Sequence, residues 1–85
     1  MNYAIPIPNP VSDLDARHVR MARSGLNLTV RDLAEISNVN KATIVRIEAG
    51  MPVRHSTLLA VKQALEARGA LFYECDVSKK ILVSV

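Results

Sequence analysis

Between Leu28 and Gly50 the chain reads LTVRDLAEISNVNKATIVRIEAG, and its apolar positions fall on two short helical faces. Leu33 and Ile36 share one side of a first helix and Ile44 and Ile47 one side of a second, so both faces need a common core. The link of Ser37, Asn38, Val39 and Asn40 is too short for two antiparallel helices to lie side by side at length, and the pair must cross steeply. Asn38 suits the left-handed backbone that such a turn needs. Val39, the link's apolar member, is expected to plug the corner from beneath. Asn40 can cap the second helix by accepting from an open first-turn amide, and Ala34 is small enough for a close crossing.

The flanking pattern extends this unit. Ser12, with Asp15 three residues on, resembles a weakened capping box, and Ala16, Val19, Ala22 and Leu26 form a stripe for a helix from about Asp13 to Ser24, ended by Gly25. Beyond Gly50, a loop from Met51 to His55 contains Pro52. Ser56 then serves as cap for a longer helix with Leu58, Val61 and Leu65 inward and Gly69 at its end. Pro6, Pro8 and Pro10 hold the start of the chain extended or turning. The tail turns β-prone: ALFYEC, the polar break DVSK and KILVSV predict a hairpin over Ala70 to Cys75 and Lys80 to Val85. A lone hairpin is barely stable in water, so it needs its own helices or a second subunit's hairpin as a surface. The organisation read from this is an extended arm over 1–11, a helix-turn-helix domain over 12–69 and a hairpin over 70–85 that serves dimerisation. The fold class is mainly α, four main helices with a C-terminal β-hairpin.

Composition narrows the chemistry more than it names it. Eighty-five residues support one domain with a modest core, which a dimer interface would reinforce. No run reaches membrane-spanning length and MNYAIPIPNP lacks a signal peptide's basic segment, so a cytoplasmic protein without membrane contact is expected. Cys75 is a lone cysteine with no metal-spaced neighbours; it reads as a small hydrophobe in a strand, and no metal or cofactor is expected. There is no glycine-rich phosphate loop and no Ser-His-Asp pattern, so the chain does not read as an enzyme. The net charge of +3 is compatible with nucleic acid without arguing for it.

The central segment resembles the XRE type of helix-turn-helix, the phage repressor and Cro kind, whose pattern is similar to LTQxxLAxxxGVSxxTIxxIExG. Leu28, Thr29, Leu33, Ala34, Val39, Thr43, Ile44, Ile47, Glu48 and Gly50 stand at matching positions. Val30 replaces the family's common glutamine, and Asn38 its turn glycine. The resemblance implies a lambda-repressor-like bundle. It also implies that the helix over 40–49 reads bases in the major groove through Lys41, Ala42, Val45 and Arg46, the side chains left outward when Ile44 and Ile47 turn in. Asn40 and Thr43 match positions that touch phosphate. Thr29, Arg31, Arg54, His55 and Ser56 would add phosphate contacts by the same resemblance, because the loop and the helix start flank the groove in this fold. The family's glutamine commonly helps hold a phosphate; with valine in its place, the backbone amide of Val30 or Thr29 would take over that role. A matching arginine and glutamate pair in the family, which carries over to Arg23 and Glu48 as an ion pair fixing the angle between their helices. The tail, GALFYECDVSKKILVSV, looks like a less specific extension found in some of these regulators.

Each residue has a plainer alternative. Basic side chains on an exposed helix are usually a solvated face. Arg31 with Glu35 makes an ordinary surface pair. His55 reads as a loop or cap residue, and His18, near Leu14 and Met21, as packing beneath the arm or tail. The function expected is a homodimeric, sequence-specific regulator of transcription, a repressor on double-stranded DNA that is nucleoid-associated when bound. The alternative is an interaction module or antitoxin-type regulator that binds a toxin or another regulator through the arm or hairpin.

Overall fold

The computed structural model describes residues 4–6, 14–75 and 81–85. In chain order these form β1 (Ala4–Pro6), α1 (Ala16–Gly25), α2 (Val30–Ser37), α3 (Lys41–Glu48), α4 (His55–Ala67), β2 (Leu71–Cys75) and β3 (Ile81–Ser84). The class is mainly helical, with a small antiparallel sheet. Leu14, Val19, Ala22, Leu33, Ile44, Ile47, Val61, Leu65, Ala70 and Phe72 make the core, so every helix contributes to it. Ala34, Ile36, Val39 and Leu58 pack against it while partly exposed.

All four helices end in the same way. A residue one or two positions past the end donates its amide three residues back and the next one five back, so two open carbonyls are met. Asn27 and Leu28 do this for Ser24 and Arg23, Asn38 and Val39 for Glu35 and Ala34, Gly50 and Met51 for Ile47 and Arg46, and Gly69 and Ala70 for Glu66 and Leu65. The pattern needs a left-handed residue each time, and φ is 60° at Asn27, 57° at Asn38, 79° at Gly50 and 106° at Gly69. Glycine or asparagine fills each position because these residues enter that region at least cost.

Several helix boundaries differ from the sequence expectation. The first helix begins at Ala16, capped by Asp15, whose side chain accepts from the Arg17 amide at 2.7 Å. His18 Nδ1 accepts in return from the Asp15 amide at 3.1 Å, which makes His18 part of a capping box. Ser12, expected as the cap, lies outside the described residues. Gly25 is the last helical residue, with Asn27 as the left-handed one. A Cβ at Gly25 would lie 2.6 Å from a Val85 methyl, so this glycine lets the end of the chain close on α1. The last helix starts at His55 with Arg54 at its N-cap and no side-chain cap, so neither Ser56 nor His55 caps it.

The sheet has the order β1-β2-β3, all antiparallel. Leu71 stands opposite Ser84 and Glu74 opposite Ile81, as a hairpin requires; the expected polar break lies outside the described residues. Residues 4–6 of the expected arm pair with the far side of β2, Ala4 opposite Cys75 and Pro6 opposite Tyr73. These residues complete the chain's own sheet as its third strand. An edge strand accommodates Pro6, which has no N–H to give a further neighbour. Phe72 and its partner Val83 face the core, whereas Leu71 and Leu82 stay 49% and 44% exposed on the outer face. No helix among the described residues is long and apolar enough to cross a membrane.

Candidate functional site

The outward side of α3 gathers the side chains that sequence singled out. With Ile44 and Ile47 buried, helical geometry leaves Lys41, Ala42, Val45 and Arg46 exposed, Val45 by 51%. Asn40 caps the helix by accepting from the Ala42 amide at 2.8 Å, which fixes the direction of the first turn. Thr43 is half-buried. Arg46 leans along the chain after the helix, where Nη2 donates to the Pro52 carbonyl at 3.3 Å.

Beside this face runs an open groove lined by Thr43, Arg46, Pro52, Val53, Arg54 and Thr57. Arg54 lies at the start of α4 and its carbonyl accepts from the Thr57 and Leu58 amides. The amides of His55 and Ser56 take no partner among the described residues, leaving two donors and the positive end of the helix dipole beside two guanidinium groups. Thr57 was missed by the sequence reading. Its signal was only its position one turn after Arg54, and nothing in the sequence says that Thr43 lies across from it.

At the start of α2, Thr29 and Asp32 form a capping box: the Asp32 amide donates to Thr29 Oγ1 at 3.0 Å and the Thr29 amide to Asp32 at 2.9 Å. The bond from Thr29, joined by others, holds the Asp32 carboxyl below its ordinary range. Thr29 therefore already spends its hydroxyl acceptor and amide on capping. Val30 turns its side chain toward the core, and the Val30 and Arg31 amides have no partner among the described residues. Arg31 is exposed and makes no ion pair with Glu35, contrary to the surface pair weighed from the sequence.

Arg23 and Glu48 meet across α1 and α3. Arg23 Nε donates to one Glu48 oxygen at 2.7 Å and Nη2 to the other at 3.0 Å, while Nη1 donates to the Leu28 carbonyl at 2.9 Å. The side chains are only 21% and 10% exposed, and the carboxylate raises the Arg23 pKa further above its ordinary range. Arg20, which the sequence reading did not single out, donates from Nη1 to the Glu48 carbonyl. Lys62, nearly buried on α4, places its ammonium 3.7 Å from Glu66.

The arrangement sets open amide donors and two guanidinium groups beside the exposed face of α3. Among the described residues no group of three or more His, Cys, Asp or Glu side chains is placed to hold a metal ion. No family model matches the chain, and no curated protein matches it in sequence.

Proposed function

We propose that the chain is a sequence-specific DNA-binding regulator with a lambda-repressor-like helix-turn-helix, acting in the cytoplasm as a homodimeric repressor. The observation that carries this reading is the exposure of Lys41, Ala42, Val45 and Arg46 together on a short helix held firmly at both ends. Lysine and arginine can donate to guanine, and Ala42 and Val45 can meet thymine methyls in the major groove. The open amides of Val30, Arg31, His55 and Ser56, with Arg31 and Arg54, suit phosphates on either side of that groove. Asn40, Thr43 and Thr57 add polar contacts along the same margin.

A dimer joined through the sheet would present two such helices to a palindromic operator, with half-sites about 34 Å apart. The outward Leu71 and Leu82 favour that use of the sheet. The same apolar side chains give a second reading its support, docking of a toxin or another regulator on the hairpin. Co-purification from the native host separates the two readings.

Replacing Lys41 and Arg46 together by alanine is expected to abolish operator preference while the melting curve is kept, since both side chains are exposed. Footprints unchanged in the double variant would defeat the assignment of the reading face.

A further inference from the structure

α3 is gripped at its last residue by two arginines from one helix, and each holds a different part of Glu48. Arg23 takes the carboxylate, and Arg20 takes the main-chain carbonyl. The second contact follows from the way the helix ends. The amides of Ala49, Gly50 and Met51 return to the carbonyls of Val45, Arg46 and Ile47, which leaves the Glu48 carbonyl without a backbone donor among the described residues. That oxygen sits at the negative end of the helix dipole, where a guanidinium is favourable. Arg20 and Glu48 are 28 positions apart, so the bond ties the end of α3 to α1 rather than to its own turn.

We propose that Arg20 is a positioning residue for DNA reading: it sets the pitch of α3 on the body of the protein, and hence the approach of Arg46, two residues before Glu48, to a base edge. The inference rests on the DNA-binding reading above. Arg23 holds α3 through the Glu48 side chain, whereas a bond to the carbonyl engages the backbone itself. Arg20 is exposed, so its contribution to folding is small, and the effect of removing it falls on orientation.

The test uses the full chain and a duplex selected by it from a random pool. Wild type, Arg20→Ala and Arg20→Met are titrated with that duplex and with a variant changed at one base pair, across a range of salt. Arg20→Met keeps the apolar stem and decides the question should Arg20→Ala unfold. Both variants are expected to lose roughly tenfold in preference for the selected duplex over its variant, with the salt dependence of binding unchanged. Wild-type preference in both would overturn the positioning role. So would a salt slope lowered by about one with preference intact, because that marks Arg20 as a phosphate contact. A wild-type chain that selects no duplex at all would instead overturn the DNA-binding reading on which the inference stands.

Discussion

Glu48 shows how one side chain can carry more than its share of a small fold. It is almost buried, bonded through both oxygens, and held by an arginine that has little water of its own. Glu48→Ala strands that guanidinium and is expected to cost about 2–3 kcal/mol, or roughly 8–24 °C in Tm for a domain of this size, measured by thermal melting. Glu35→Ala is the suitable reference, being exposed and unpaired among the described residues, whereas Glu66 faces the buried ammonium of Lys62. Asp15 makes a different prediction. Hydrogen bonds from the Arg17 side chain and then its amide lower the Asp15 pKa from 3.8 to about 2. Folding therefore favours the carboxylate, and its contribution is complete above 3.8 and fades as pH falls toward 2. The Tm advantage of wild type over Asp15→Asn should be present at neutral pH and shrink through that interval; an advantage that grows in acid would contradict the cap's charge. Of these contacts, Arg23 with Glu48 could be read only through the family resemblance, and Arg20 not at all. A bond from an arginine to a distant carbonyl leaves no periodicity in the sequence.

Among the elements, the turn between α2 and α3 was the most readable. Asn38 takes the left-handed conformation and Val39 packs beneath the corner because few residue types satisfy either demand. Asn38→Val is expected to cost about 1–2 kcal/mol, some 5–15 °C in Tm, while Asn38→Gly stays close to wild type. Equal melting of the two variants would mean that the turn does not constrain the helix pair. The helix starts were less readable. Ser12 and Asp15 are both competent caps, and the choice between them depends on where Leu14 must enter the core. Ser56 is favoured over Arg54 on propensity alone, yet α4 begins without a side-chain cap and leaves the His55 and Ser56 amides without a partner among the described residues. At α1, Gly25 looks like the stop signal, but its lack of a Cβ serves contact with Val85 and the turn falls to Asn27.

At the scale of the whole molecule, local patterning yields the helical class and the hairpin, whereas the third strand comes from pairing between the two ends of the chain. Ala4 and Cys75 are brought together by the fold and share no local signal, and the prolines near Pro6 argue for an arm without naming its neighbour. The exposed face of α3 was readable because burying Ile44 and Ile47 leaves the opposite side no alternative. Its groove margin was not, since Thr57 comes to line the same groove as Thr43 and Arg46 only once α4 is packed into the fold. In the proposed function this face reads DNA as one half of a twofold pair. Its most direct test is selection from a random duplex pool by the intact protein, followed by sequencing of the bound fraction. Enrichment of an inverted repeat with half-site centres about one duplex turn apart is the predicted result. A bound fraction with no preferred sequence, or no binding that salt weakens, would contradict it.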